Sequence, residues 1–164
     1  RLIGKADVFI QNLAPGAAKR LGLDDATLRA QHPRLIVCDV SGYGDSGPYA
    51  RKKAYDLLIQ SEAGVLSVTG TPETQTKVGI SIVDISAGMY AYSGILTALY
   101  QREKTGKGTR VDVTMFESLA EWMSHPLNYT HFGGKAPKRS GPDHATIVPY
   151  GRRSEEHTSE LQSH

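Results

Sequence analysis

Asp84 is the residue of this sequence whose type and placement could do chemistry. It stands in Val78-Gly-Ile-Ser-Ile-Val-Asp-Ile-Ser-Ala-Gly-Met-Tyr90, where an apolar, strand-like stretch gives way to a helical pattern. From Ile85 the apolar positions Met89, Tyr92, Leu96 and Leu99 recur at steps of four and three, so this face is expected to be buried and the first turn to fall at Asp84. The free N–H groups and the macrodipole of a first turn stabilise negative charge, so a carboxylate there is expected to be ionised at neutral pH and available as a nucleophile. Asp is also a favoured N-cap, and position alone leaves both readings open.

Three other constellations carry less. Gly44-Asp-Ser-Gly47 has the look of a nucleophilic serine loop, but no His-containing partner motif precedes it and Pro48 stands where a glycine would be needed. Thr105-Gly-Lys-Gly-Thr109 has the look of the end of a phosphate-binding loop, which would require glycine where Gln101 stands and a strand before it rather than a helix. It reads instead as a glycine-terminated helix with a basic last turn. His125, His131 and His144 are irregularly spaced without Cys or acidic companions, so no metal site is expected.

The elements that must position Asp84 alternate. A short buried strand at Asp7–Ile10 is followed by a helix from Pro15 to Leu21 ended by Gly22, and a second helix capped by Asp24 or Asp25 that stops before Pro33. Arg34–Val40 is a strand with a turn-rich loop, Ser41–Pro48, at its carboxyl end. A helix from Tyr55 to Val65, a turn at Thr69–Pro72, a short strand around Lys77–Ile82 and the long helix from Asp84 to Lys104 come next. Thr109–Thr114 is a strand and Phe116–Tyr129 a helix. This alternation predicts an α/β fold with a largely parallel sheet, and ligands of such sheets sit outside the carboxyl ends of the strands.

Composition is compatible with one soluble domain: 164 residues, 39% apolar, a single cysteine, Cys38, set in an apolar run. No apolar run reaches the roughly 18 residues of a membrane span and no signal-peptide pattern is present, so a cytoplasmic protein with no membrane partner is expected. Residues 153–164 hold one basic and three acidic residues, and leaving them out moves the formal net charge from +2 to +4. That excess suits a phosphate-bearing ligand and does not call for nucleic acid. Arg153-Ser-Glu-Glu-His-Thr-Ser-Glu-Leu-Gln-Ser-His164 looks like the translation of a sequencing-library adapter, and is expected to be a non-native tail on a domain of residues 1–152.

Five stretches together resemble the family III CoA-transferases, the group of formyl-CoA and carnitine CoA-transferases that also includes the α-methylacyl-CoA racemases. They are Ala6–Gly16 with Arg20-Leu-Gly22; His32–Ile36 leading to Ser41-Gly-Tyr-Gly-Asp-Ser-Gly-Pro48; Tyr55-Asp56 with Gln60 and Gly64; the Asp84 segment; and Tyr100–Gly108 followed by Val111–Leu119. The resemblance implies part of a Rossmann-like large domain, truncated at both ends, with Asp84 as the catalytic nucleophile. Its CoA-contacting positions fall on Asn12, Leu13, Ala14, Arg20, Lys53 and Tyr55. It further implies no tightly bound cofactor, CoA as a substrate, an acyl-CoA and a carboxylic acid (a short dicarboxylate) as reactants, and an interlocked homodimer. Transfer would run through an aspartyl anhydride and an aspartyl-CoA thioester, without ATP or metal. Racemisation of a 2-methylacyl-CoA is the alternative, but racemases of this group carry His where Tyr55 stands, and a phenol with a reference pKa near 10 shuttles protons poorly at neutral pH. A non-catalytic CoA-binding module is the third reading.

Overall fold

The structure, a computed structural model, describes residues 2–147; Pro149–Gly151 and the adapter-like tail lie outside the described residues. After a 3₁₀ turn at Ile3–Lys5 come β1 (Val8–Gln11), α1 (Ala17–Arg20), α2 (Asp25–Gln31), β2 (Ile36–Ser41), α3 (Asp56–Glu62), α4 (Val65–Val68), α5 (Ile82–Thr105), β3 (Arg110–Thr114), α6 (Met115–Trp122) and α7 (Ser124–Gly133). The strands form a parallel sheet in the order β1-β2-β3, with Phe9 beside Val37 and Cys38 beside Val111. The expected α/β architecture is therefore present.

Both faces of the sheet are covered, which is why the first half of β2 is apolar without alternation. On one face Cys38, Val40, Val111 and Val113 pack against Ala87, Ala91 and Ile95 of α5. On the other, Phe9 and Val37 meet Leu28 of α2 with Leu35, Leu23 and Ile3. Asp24 begins α2 by accepting from the Thr27 N–H at 3.2 Å. A third cluster, Ile59, Val65, Val83 and Leu119, joins α3, α4, α5 and α6 beyond the sheet.

The orientation of α5 fixes where Asp84 lies. Its carboxyl end stops at Gly106, whose φ of 72° suits glycine, just before β3 begins. Buried Arg102 in its last turn donates to the carbonyls of Asp7 (3.3 Å) and Arg34 (3.2 Å) and pairs with the Asp7 carboxylate at 3.0 Å. These contacts pin that end to the amino ends of β1 and β2, so the amino end points to the carboxyl ends of the strands. Its 24 residues span about 36 Å against less than about 20 Å for a six-residue strand, so the first turns overshoot the sheet.

Four expectations are corrected. The face of α5 carrying Met89, Tyr92 and Leu96 is exposed (56%, 61% and 48%), and the buried face is Val83, Ala87, Ala91, Ala98 and Arg102. Small side chains let the helix approach the sheet closely, and the large ones project away from it. Lys77–Ile82 is no strand: the Val78 N–H is taken by the Gln60 side chain at 2.9 Å rather than by a neighbouring strand. The expected Tyr55–Val65 helix breaks at Gly64, whose φ of 85° is left-handed, into α3 and α4. The expected Phe116–Tyr129 helix breaks at Met123, because Pro126 cannot donate to the carbonyl of Trp122 and its ring crowds it. By length and mean hydropathy (1.3) α5 is also apolar enough to cross a membrane. Counting uninterrupted apolar runs did not register this, because Ser, Gly and Tyr interrupt the pattern.

Candidate active site

The carboxyl ends of β1, β2 and β3, with the first turn of α5, form one edge of the molecule. Asp84 is the third residue of α5, with Ser81 at the N-cap position. The capping reading of Asp84 fails here. Its side chain is solvent-accessible, and among the described residues it has no hydrogen-bond or ion-pair partner. The cap comes from another helix: Oδ1 of Asp56, in the first turn of α3, accepts from the Val83 N–H at 2.8 Å. The other Asp56 oxygen accepts from Nε2 of Gln60 at 2.6 Å, and Gln60 Oε1 holds the Val78 N–H.

The electrostatics of Asp84 depart from expectation in direction. Partial burial, then the negative charge of Asp56, raise its pKa above the usual carboxylate value. Both influences act in the same direction and make the carboxylate more basic.

The six positions matched to CoA contacts divide into two groups. Asn12, Leu13 and Ala14 leave the carboxyl end of β1, where the Leu13 N–H is held by the Gln11 side chain at 2.8 Å, and Arg20 is exposed at the end of α1. Lys53 and Tyr55 immediately precede α3, Tyr55 at its N-cap position and 67% exposed, next to the residue that caps α5. The second group is thus tied to the Asp84 turn through Asp56. The first lies on the far side of β2, roughly 10 Å from the β3 line across two strand spacings.

Sequence reasoning left two features unassigned at this edge. Gln60 is completely buried and hydrogen-bonded at both ends of its amide; its (i, i+4) spacing from Asp56 was the available signal. A cleft of about 200 Å³ between the loop after β2 and the start of α6 is walled by Tyr43, Tyr49, Pro48 and Phe116, with Ser46, Thr114 and Glu117 as polar lining. Its aromatic wall is held by the Tyr43 hydroxyl donating to Glu62 at 2.6 Å and by Lys52, paired with Glu62, 4.5 Å from the Tyr49 ring centre. Burial, then this bond to Glu62, pushes the Tyr43 phenol up to about 12. Among the described residues, no group of three His, Cys, Asp or Glu side chains is placed to hold a metal.

The family model for CoA-transferase family III matches residues 1–152. The chain is 40% identical to an acetyl-CoA:oxalate CoA-transferase of Acetobacter aceti over 91% of its own length and 39% of that protein's. It is 36% identical to a succinate–glutarate CoA-transferase of Agrobacterium fabrum, over 92% of its length and 38% of the relative's. Among solved structures, a CaiB/BaiF family protein from Brucella suis superposes with a TM-score of 0.86 at 37% identity, over 93% of this chain and 41% of that one. The chain thus spans about two fifths of the length of these relatives.

Proposed function

This chain belongs to CoA-transferase family III, and from that premise we propose that the enzyme carrying it moves CoA from an acyl-CoA to a carboxylic acid, with Asp84 as the covalent carrier. The observation that carries the reading is the Asp84 carboxylate itself. It is accessible at the carboxyl edge of a parallel sheet, free of any capping bond and made more basic by its surroundings.

In this reading an Asp84 oxygen attacks the thioester carbonyl of the donor. The C–S bond breaks, CoA leaves as thiolate, and the acyl group remains on Asp84 as a mixed anhydride. The thiolate then attacks the aspartyl carbonyl, releasing the donor acid and leaving an Asp84-CoA thioester. The acceptor carboxylate opens that thioester to a new anhydride, and the thiolate attacks its acyl carbonyl, giving the acceptor's CoA ester and regenerating Asp84. Each step exchanges one acyl bond for another, so neither ATP nor a metal enters. In the first turn of α5 the N–H groups of Ile82, Val83 and Ile85 are taken by Ile80, Asp56 and Ser81, which leaves the Asp84 N–H to help stabilise the oxyanions.

Asn12, Leu13 and Ala14 follow the CoA, Ala14 through its backbone only, while Arg20 and Lys53 meet its phosphates and Tyr55 the pantetheine or nucleotide portion. Tyr55 in place of His argues for transfer over racemisation. The acceptor is a short dicarboxylate, a reading to which the oxalate and succinate–glutarate names of the relatives lend support. The enzyme belongs in the reducing cytoplasm, works as an interlocked homodimer and binds neither membrane nor nucleic acid. Residues 1–152 make up part of its large domain, and 153–164 are a non-native tail.

The test is exchange of labelled CoA into a second acid, in a chain of the relatives' full length that carries this segment. Transfer that disappears in Asp84→Asn, with an adduct on Asp84 that hydroxylamine traps in the parent, is the expected result. Scrambling of the α-hydrogen with solvent in place of exchange would establish racemisation, and CoA binding without either reaction a non-catalytic module.

A further inference from the structure

Asp56 and Gln60 lie one turn apart on α3, outside the residues assigned above to CoA. Both oxygens of Asp56 act as acceptors, one toward Gln60 Nε2 and one toward the Val83 N–H. The Gln60 amide can therefore sit only one way. Turned over, it would set its NH₂ against the Val78 N–H and its oxygen against a carboxylate. With Gln60 0% exposed, water cannot replace either bond. The result is a directional chain that runs from the segment before α5, through α3, into the first turn of α5. It ends one residue before Asp84.

An acidic side chain at the third position of a helix ordinarily reaches back to the unsatisfied N–H groups of that terminus. Ser81, at the N-cap position, makes no side-chain bond to them. Without Asp56, Asp84 would be the nearest carboxylate able to do so, and a carboxylate engaged in a cap is a poorer nucleophile. We propose that Asp56, locked by Gln60, is a positioning residue: it takes over capping of α5 so that Asp84 stays unbonded, and it sets a fixed negative charge beside it. Acylation removes the charge of Asp84, so the same neighbour favours the covalent adduct over the free carboxylate. Of the charged groups on α3, α5 and α6, Asp56 is the one that acts on Asp84. The assignment rests on Asp84 being the nucleophile.

Two measurements on a chain of full family length test it. In a stability cycle, Asp56→Ala alone is expected to lower the Tm, because the buried Gln60 Nε2 loses its acceptor, but by less than the loss of that bond and of the α5 cap together, because Asp84 folds back toward the helix terminus. Asp56→Ala with Asp84→Ala is expected to lower it by clearly more than the two single changes together. Additive shifts would overturn the capping exchange, and this readout is independent of turnover. In kinetics, Gln60→Met is expected to lower kcat about tenfold or more while KM for donor and acceptor stays within about twofold, as for a displaced catalytic group. An unchanged kcat, or a kcat lost only in step with folded protein, would overturn it. Turnover surviving in Asp84→Asn would sink the nucleophile reading instead, whatever the cycle shows.

Discussion

At the scale of single residues, Asp84 combines an accessible carboxylate with surroundings that disfavour its charge. Its pKa in the fold lies above that of the unfolded chain, through partial burial and then Asp56. The ionised form is therefore the less stable one in the folded state. Stability is highest below the unfolded pKa and falls as pH rises through the folded one. Asp84→Asn is thus expected to leave the Tm at pH 7 equal to or above the parent's, with any gain disappearing on acidification below about pH 3, where both carry an uncharged side chain. Thermal scans across pH check this, and a variant clearly less stable than its parent at neutral pH would return Asp84 to a structural role. Cys38 behaves oppositely to a reactive residue: it is fully buried in β2, and burial pushes its thiol up to about 11. It is expected to resist iodoacetamide at pH 8 in the folded chain and to react on unfolding, as mass spectrometry would record. The position of Asp84 could be read from sequence because a helix start is a local pattern. Its release from capping could not, because the Asp56–Val83 bond joins residues 27 positions apart and depends on how α3 meets α5.

At the scale of elements, α5 separates what periodicity can reveal from what it cannot. The repeat from Ile85 to Leu99 correctly signals a helix, yet the face it marks is not the one buried. Ala87, Ala91 and Ala98 face the sheet, with Gly94 so close that an added Cβ would lie 2.8 Å from Val111. Hydrophobicity scales weight the large residues, while close packing on a sheet selects the small ones. The return from α5 to β3 has a similar requirement. Gly108 donates to the Pro33 carbonyl at 2.8 Å, and a Cβ there would stand 2.0 Å from the Leu35 carbonyl oxygen. The obstacle is backbone, which cannot turn aside as a side chain can. Gly108→Ala is expected to destabilise by about 1–3 kcal/mol, read as a lower denaturant midpoint at unchanged slope. Gly88, inside α5 with nothing within 4 Å of an added Cβ, supplies the contrast: alanine there is expected to stabilise by up to about 1 kcal/mol. Equal midpoints for the two variants would contradict this account of the β2–β3 junction.

At the scale of the whole molecule, alternation of strand and helix made the parallel sheet legible, and the carboxyl-edge rule pointed to the side of it on which the Asp84 turn lies. What the pattern could not convey is which surfaces the described residues leave uncovered. Ile85, Met89, Tyr92, Leu96 and Tyr100 form a row along α5 that is 46–68% exposed, and Phe132 on α7 is 80% exposed. Large apolar side chains aligned on one helix face make a contiguous patch rather than scattered contacts, and a patch of that kind drives association in water. The 164-residue chain is therefore expected to self-associate with rising concentration and to bind a hydrophobic dye while folded. Met89→Glu with Leu96→Lys places opposite charges at two points of the row, leaving the Ala87–Ala91–Ala98 face untouched. This pair of changes is expected to shift sedimentation toward monomer and lower dye fluorescence without lowering the Tm. Were the double variant to associate as readily as the parent, the adhesive surface would have to lie elsewhere, with α7 and Phe132 next to be changed. Were its Tm to fall sharply, the row would be part of the folded core rather than an uncovered face.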